Sequence, residues 1–269
     1  MKLSFSTLGC PDWKLSDIIS TAADLGYNGI EIRGIGEHIY TPNLSVFSGE
    51  ELKSTQKALE KVNLEVPIVT SGAYLCNNKN ISDAEKEVID YLSLASRLNA
   101  GYVRVLGEKD PAPDLTQDIE TALTYYAKLC DIAAKDYGRD LLIETNGYFA
   151  NTVNLSAFLE RVDRPNMGVI WDINHTVRYF DEAPSDTVKR IGKYIKHVHV
   201  KDSVIDNNKA ITYMLTGYGT LPIKEAFCEL SGAGYEGFWS YEWVKRWARE
   251  LAEPGVAFYR YIEYMRGLK

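Results

Sequence analysis

The stretch LGYNGIE at residues 25–31 joins the end of a helical pattern to a short apolar strand, and it recurs in form as AGYEGFW at residues 233–239. A glycine just past a helix supplies a left-handed cap, and a second glycine eases the entry into the next strand. A weaker third copy, NAGY, lies at residues 99–102. These repeated helix-to-strand joints predict a chain built from successive βα units.

Short apolar runs alternate with longer segments of helical period along the whole chain. Eight strands and eight helices in strict alternation predict an α/β fold, a single (β/α)8 barrel that occupies residues 1–269 as one domain. The predicted strands lie near residues 2–6, 29–33, 66–70, 102–106, 141–144, 167–171, 195–200 and 238–242. The predicted helices lie near residues 14–25, 50–62, 83–98, 116–136, 154–161, 185–193, 222–230 and 254–266.

Composition and charge exclude several classes of protein. The net charge is −7, and there is no run of five like charges, which argues against binding to nucleic acid or to an anionic membrane. No apolar stretch approaches the length that spans a bilayer, and the N-terminus lacks the apolar run of a signal peptide. Four well-separated cysteines need no disulfides, so we expect a cytoplasmic protein. Whether the chain forms a homo-oligomer stays open.

In a barrel of this kind the chemistry lies at the C-terminal ends of the strands. Four adjacent strand ends carry metal-ligating residue types: Glu144, Asp172, His199 and Glu242. Taken singly, such a glutamate is more often a solvated loop residue or an ion-pair partner, and the aspartate often caps the following turn. Together they would place three carboxylates side by side, which repel one another unless a cation lies among them. We therefore predict that these four residues bind one divalent metal.

The residue types favour particular ions and a particular chemistry. One imidazole with three carboxylates is a hard, oxygen-rich set that suits Mn²⁺ best, with Mg²⁺ or Co²⁺ as alternatives. Such an ion would chelate a substrate carbonyl and its neighbouring hydroxyl, and so stabilise the enediolate that forms when the α-proton leaves.

The period of two in strand seven places His197, His199 and Lys201 on one face. His197 should lie one layer below the metal, where a hydrogen-bonded core histidine is the favoured interpretation.

Further residues could bind the substrate, each with a structural alternative. Lys201 could act as an electrophile or bind an anion, or it could form an ion pair with Asp202 or another nearby carboxylate. Trp13, in the loop after strand one, could form an apolar surface against a sugar ring, or it could pack on the first helix. The basic pair in WVKRW, residues 243–247, could bind a substrate anion, although a solvated loop is the favoured interpretation.

Two arginines end strands two and four. Arg33 and Arg104 could bind sugar hydroxyls, a carboxylate or a phosphate, or each could form a salt bridge with Glu31 or Glu108. Of the two, Arg104 is a candidate substrate-binding residue.

Three motifs resemble the xylose-isomerase-like TIM-barrel superfamily of sugar and sugar-phosphate isomerases and epimerases, with the related inosose dehydratases and apurinic endonucleases. They are WDINH at residues 171–175, HVHVKD at residues 197–202 and GYGTLP at residues 217–222. The resemblance covers essentially the whole chain, and it places the family's metal ligands on the same four residues. It also implies that His175 contacts the bound sugar, and that Glu144 and Glu242 exchange the proton, one on each face.

Two positions depart from the pattern of the ketose 3-epimerases. Ala150 stands where they carry a further glutamate, and Ile205 stands where they carry an arginine. The endonucleases use about five histidines, and this chain has four in all, so a DNA-repair role is not expected.

The resemblance and the residues together predict a divalent-metal-dependent isomerase or epimerase of a small sugar, keto-sugar or related polyol ketone, acting through an enediolate. The expected partner is a small-molecule carbohydrate. The alternative is a metal-dependent lyase or dehydratase acting on a 3-keto sugar or inosose, because the same metal site would serve both reactions. A third alternative is a non-catalytic sugar-binding barrel.

Overall fold

Eight parallel strands form one sheet that curves into a nearly closed barrel in the computed structural model, which describes residues 1–77 and 79–268. This confirms the predicted (β/α)8 barrel. The described strands are β1 Lys2–Ser6, β2 Gly29–Glu31, β3 Ile68–Tyr74, β4 Tyr102–Leu106, β5 Asp140–Glu144, β6 Met167–Asp172, β7 Ile195–Val200, β8 Asp202–Ile205, β9 Ile211–Met214 and β10 Phe238–Tyr241.

The strands of the barrel are hydrogen-bonded in the order β2-β1-β10-β7-β6-β5-β4-β3. The two ends of this row meet through backbone hydrogen bonds from Ile30 N–H to Glu65 O at 2.9 Å and from Thr70 N–H to Ile32 O at 2.9 Å. Strands β5, β6, β7 and β10 are consecutive neighbours, so the ends of all four predicted ligand-bearing strands lie side by side.

Helices surround the barrel, and all eight predicted helices are present; the last one has the predicted bounds, and the other seven differ from them by a few residues at one or both ends. They are α1 Leu15–Leu25, α2 Gly49–Lys61, α3 Ile81–Leu98, α4 Ile119–Ile132, α5 Thr152–Val162, α7 Pro184–Ile191, α8 Ile223–Gly232 and α9 Pro254–Arg266. A further helix, α6 Ile173–Phe180, follows β6 directly and was not predicted. No helix in the described part of the chain is long and apolar enough to cross a membrane.

A two-stranded hairpin after β7 was also not predicted. Strands β8 and β9 pair in antiparallel fashion, with Asp202 opposite Met214 and Ile205 opposite Ile211. Strand β7 ends at Val200, as predicted, and the chain then enters the hairpin at Asp202.

The alternation along β7 separates the barrel interior from the helical layer. Val198 and Val200 belong to the large apolar core between the sheet and the helices, whereas His197 and His199 are buried inside the barrel. A small apolar cluster of Ile68, Leu142 and Ile170 fills the interior near its N-terminal end. Above this cluster the interior is polar, and the candidate site is built on that polar layer.

Candidate metal centre and substrate cavity

The four predicted metal ligands converge at the C-terminal end of the barrel. Each of Glu144, Asp172, His199 and Glu242 is buried, and each offers one ligand atom within 4.8 Å of those of the others. Glu144 ends β5 and Asp172 ends β6, while Glu242 directly follows β10. The sequence therefore identified a real cluster, and its period-two register explains why all four side chains point inward.

Asp172 is placed both to cap a helix and to serve as a metal ligand. Its Oδ1 accepts a hydrogen bond from the backbone N–H of His175 at 3.2 Å, which caps the N-terminus of α6. Its Oδ2 accepts no hydrogen bond from the described residues, although the Lys201 ammonium lies 2.6 Å away. The capping role and the ligand role are thus compatible, since they use different oxygens of the carboxylate.

The imidazole of His199 is oriented from below by a buried carboxylate. Its Nε2 donates to Glu31 Oε2 at 3.0 Å, so its Nδ1 faces Glu144 Oε2 at 3.7 Å and Glu242 Oε1 at 3.5 Å. Among the described residues, Nδ1 has no hydrogen-bond partner that satisfies normal geometry. A carboxylate that holds one nitrogen of a histidine while the other faces a ligand cluster is the usual outer-shell arrangement of a metal site.

Glu31 was missed as a site residue. The same Oε2 accepts hydrogen bonds from His197 at 3.0 Å and from Ser240 at 2.9 Å. Burial alone would raise the pKa of Glu31, but the two neighbouring histidines hold it well below its usual value. The sequence did contain a sign of this role, because the stretch LGYNGIE ends on a glutamate at the end of a strand, and that side chain faces inward. The prediction for His197, a hydrogen-bonded core histidine, agrees with this contact.

Two protein cations lie among the carboxylates. Arg104 Nη1 donates to Glu144 Oε2 at 2.8 Å and lies 3.5 Å from Glu242 Oε1. Lys201 Nζ donates to Glu242 Oε2 at 2.5 Å. Burial would raise the pKa of Glu144, but Arg104 and His199 lower it below the ordinary value, so Glu144 is ionised at neutral pH. Carboxylate repulsion by itself therefore does not require a metal here, because the protein supplies part of the balancing charge.

His175 lies beside the ligands without joining them. Its Nδ1 is 3.0 Å from Thr145 O, and because a carbonyl can only accept, Nδ1 carries the proton and Nε2 is left as an acceptor. Burial lowers the pKa of His175, against the opposing effect of Asp172, so the ring is neutral near pH 7.

A cavity of about 520 Å³ opens above the cluster, a size suited to a sugar. The candidate residues from the sequence that line it are Arg33, Arg104, Glu144, His175, Lys201 and Glu242. Residues that the sequence did not single out for this cavity also line it: Lys109, Asn146, Tyr213 and Val244. Trp247, one of the tryptophans of the WVKRW stretch, reaches its rim and is largely exposed.

Other candidates lie elsewhere. Trp13 does not line this cavity; its ring packs edge-on against Phe258 of α9, with centroids 5.8 Å apart, and borders a separate groove. In the WVKRW stretch, Lys245 is buried and donates to the backbone oxygen of Leu251 at 2.6 Å. Arg246 donates to Gly36 O at 2.7 Å. The structure thus brings neither Trp13 nor this basic pair to the ligand cluster.

The donor set fits a divalent cation. Three carboxylates and one imidazole nitrogen converge. Asp172 Oδ2 already has the Lys201 ammonium 2.6 Å away, whereas His199 Nδ1 has no well-formed hydrogen bond among the described residues. Buried polar atoms are rarely left in that condition, and a cation is a natural partner for this nitrogen. Among the described residues, a second group of Glu31, His197 and His199 also has metal-ligand geometry, but its atoms are already joined to one another by hydrogen bonds.

Comparison with known proteins agrees with this architecture. The chain is 24% identical over 288 aligned residues to fructoselysine 3-epimerase of Escherichia coli O157:H7, and the match covers 100% of this chain and 98% of the relative. The probable 3-DHS dehydratase AsbF of Bacillus anthracis has a TM-score of 0.80 at 18% identity, covering 99% of both chains. The IOLI protein, whose structure contains a bound zinc atom, has a TM-score of 0.82 at 16% identity, covering 100% of this chain and 98% of that one.

A family model described as "Xylose isomerase-like TIM barrel" matches residues 19–262, which is most of the chain. The matched span contains all eight outer helices in whole or in part, as well as the four convergent ligands. The chain therefore belongs to the xylose isomerase-like TIM-barrel family.

Proposed function

We propose that this protein is a divalent-metal-dependent isomerase or epimerase of a small sugar or keto-sugar. The observation that carries the proposal is the convergence of Glu144, Asp172, His199 and Glu242 on one point below a sugar-sized cavity. The similarity along the whole chain to a fructoselysine 3-epimerase supports the same class of reaction. A divalent cation at this point would polarise a substrate carbonyl and favour loss of the neighbouring proton.

The two glutamates are placed to move that proton. Glu144 on β5 and Glu242 after β10 are the outermost members of the ligand row, with Asp172 and His199 between them. A substrate carbon above the centre of the row would therefore have one carboxylate on each side. Arg104 contacts both carboxylates and holds them in place, while it is itself held by Ser71 O, 2.8 Å from Nη2. One glutamate can then remove the proton and the other return it.

Substrate orientation is assigned to His175 and Lys201. The free Nε2 of His175 can accept a hydrogen bond from a sugar hydroxyl, because Thr145 O fixes the tautomer. Lys201 can donate to a substrate oxygen, since an ammonium has three donors. For the metal we propose Mn²⁺, which suits one nitrogen and three carboxylate oxygens. The four cysteines are free, consistent with the reducing cytoplasm that we propose as the location.

Proton exchange with solvent tests this function. Metal-loaded protein in D₂O is incubated with a panel of ketoses, and proton loss beside the carbonyl is followed by NMR. We expect exchange with at least one ketose, and a loss of about a thousandfold or more in Glu242→Gln, since a general base contributes about 10²–10⁴. Glu253→Gln removes an exposed carboxylate of the neighbouring loop and should exchange at the wild-type rate. Wild-type exchange in Glu242→Gln would refute the proton-transfer role.

A lyase acting through the same proton abstraction is the second candidate. The observation that favours it lies at the two positions that depart from the ketose 3-epimerase pattern. Ala150 is buried in a short 3-10 segment and brings no carboxylate to the cavity, and Ile205 lies half-exposed on β8. If a β-oxygen departs after proton loss, a 3-keto sugar gives an enone. An enone absorbance without exchange into recovered substrate would favour the lyase.

A further inference from the structure

Arg33 is a cation of the cavity that forms no salt bridge with any carboxylate in the described part of the chain. Among the residues that the structure describes, no carboxylate oxygen lies within 4.0 Å of its guanidinium. Its guanidinium donates a hydrogen bond from Nη1 to Ile39 O at 3.2 Å. Glu87 lies in the vicinity, but its Oε1 accepts a hydrogen bond from the backbone N–H of Gly72 at 2.6 Å. A half-buried guanidinium of this kind retains donors that can face the cavity.

Arg33 lies across the barrel from the ligand cluster. Strand β2, which Arg33 closely follows, is four strands from β6 in either direction around the eight-stranded barrel, and β6 carries Asp172. Arg33 and Gly72 both line the cavity, and a Cβ on Gly72 would stand 2.9 Å from Arg33 Nη2. The absence of a side chain at position 72 leaves the guanidinium room at the cavity wall.

The charge of the cavity lining differs from that of the chain. Four cationic residues line it, Arg33, Arg104, Lys109 and Lys201, against two carboxylates, Glu144 and Glu242. The chain as a whole has a net charge of −7. Arg104 and Lys201 are paired with the carboxylates. The unpaired cations are thus Arg33 and the exposed Lys109, which follows β4 at the rim.

We propose that Arg33, assisted by Lys109, forms an anion subsite, and that the substrate is a keto-sugar with a carboxylate or phosphate at the end remote from its carbonyl. The inference rests on the proposed function, because the ligand cluster fixes the carbonyl end. A cavity of about 520 Å³ accommodates a sugar with one such group. Arginine binds both anions through two parallel N–H donors, and a partly desolvated site strengthens the contact.

Three ketoses that differ only at carbon 6 test the subsite: D-fructose, D-fructuronate and D-fructose 6-phosphate. Exchange in D₂O with the Mn²⁺-loaded full chain gives kcat/KM for each, and the ratio of an anionic member to D-fructose is the readout. We expect this ratio of kcat/KM values to be about ten or more for one of the two anions. A hydrogen bond to a charged group is stronger than one between neutral groups by a free energy that corresponds to about tenfold in affinity. The anion with the higher ratio identifies carboxylate or phosphate as the group recognised.

Variants separate the subsite from general electrostatics. Arg33→Met should bring the ratio close to one, Lys109→Met should lower it by a smaller factor, and Arg33→Lys should retain part of it. Arg161→Met removes the same charge from the outer surface of α5, where Arg161 pairs with Glu120, and should leave the ratio unchanged. A wild-type ratio of one for both anions would overturn the inference, and so would a high ratio that survives in the double variant Arg33→Met/Lys109→Met.

The proposed function and the subsite can fail separately. Exchange of D-fructose without any preference for the anionic sugars refutes the subsite alone. If no member of the series exchanges, the same ratio is measured on dissociation constants, from the broadening of ligand proton signals by protein-bound Mn²⁺. A preference for an anion that Arg33→Met removes would then support the subsite while the reaction itself fails, and equal affinities would overturn the subsite.

Discussion

His199 shows how one buried residue outside the ligand set can determine what a ligand does. Since Glu31 accepts a hydrogen bond from Nε2, Nδ1 is directed at the carboxylates of Glu144 and Glu242. Glu31 is itself fixed by Ser240 and His197. Such an outer carboxylate sets the tautomer and ring orientation of the ligand and raises its basicity.

Replacing Glu31 should therefore weaken metal binding without removing a ligand. For Glu31→Gln we expect the dissociation constant for Mn²⁺ to rise by about tenfold to a hundredfold, the range typical of lost outer-shell partners. Electron paramagnetic resonance of free Mn²⁺ measures it directly, with far-UV circular dichroism to check folding. Ser240→Ala removes a neighbouring hydrogen bond to Glu31 and spares the contact with His199, so its affinity should change far less. Equal affinities in wild type and a folded Glu31→Gln protein would contradict the assigned role.

The residues differ in how well the sequence could place them. The four ligands followed from strand ends and a period of two, because both rules act within a few residues. Trp13 illustrates the opposite case, since its partner Phe258 lies 245 positions along the chain and no local pattern records that contact. Arg104 was predicted to bind substrate or to pair with Glu108, yet it contacts Glu144 and Glu242, which come from other strands.

At the level of elements, Asp202 connects the hairpin to the loop that leads into α8. Its carboxylate accepts hydrogen bonds from the backbone N–H groups of Gly217 at 2.9 Å, Gly219 at 2.9 Å and Leu221 at 3.2 Å. A side chain at position 219 would collide with this carboxylate, so the glycine is required there. Helix α6 was missed because Asp172 was expected at most to cap a turn, and the hairpin was missed because no strand was predicted between residues 200 and 238.

Removing the Asp202 carboxylate should destabilise the fold. Asp202→Ala leaves the N–H donors of Gly217, Gly219 and Leu221 without their acceptor, and of these three hydrogen bonds that of Leu221 is buried and the other two are part-buried. We expect the free energy of unfolding to fall by about 3 kcal/mol, since each hydrogen bond to a charged group contributes roughly 1.5–3 kcal/mol and rehydration offsets part of the loss. Urea denaturation measures the change. The matched control is Asp206→Ala at the exposed tip of the same hairpin. Asp206 accepts hydrogen bonds from the backbone N–H groups of Asn208 and Ala210. The expected loss in the free energy of unfolding there is below about 1 kcal/mol. Similar losses in both variants would rule out a special role for Asp202.

For the molecule as a whole, the barrel was predictable because eight short βα units repeat one local pattern, and its closure follows from their number. The charge balance at the top of the barrel was not predictable in the same way, since it depends on side chains on or directly after five strands, β4, β5, β6, β7 and β10. Arg104 and Lys201 supply positive charge to carboxylates whose repulsion had been taken to require a metal. From these contacts we expect the protein to fold without metal and to gain further stability if a metal binds at this cluster.

That gain can be measured as a dependence of Tm on metal concentration. A ligand that binds only the folded state at 100 times its dissociation constant stabilises that state by about 2.7 kcal/mol, which for a chain of this size raises Tm by about 5 °C. Asp172→Asn preserves a side-chain oxygen that can cap α6 but removes a ligand charge, so the rise should largely disappear. Asp181→Asn makes the same change at the C-terminal cap of α6, where asparagine also tolerates the left-handed conformation, and should retain the full rise. A Tm that Mn²⁺ raises equally in both variants would show that the ion binds elsewhere, because only Asp172 lies in the ligand cluster.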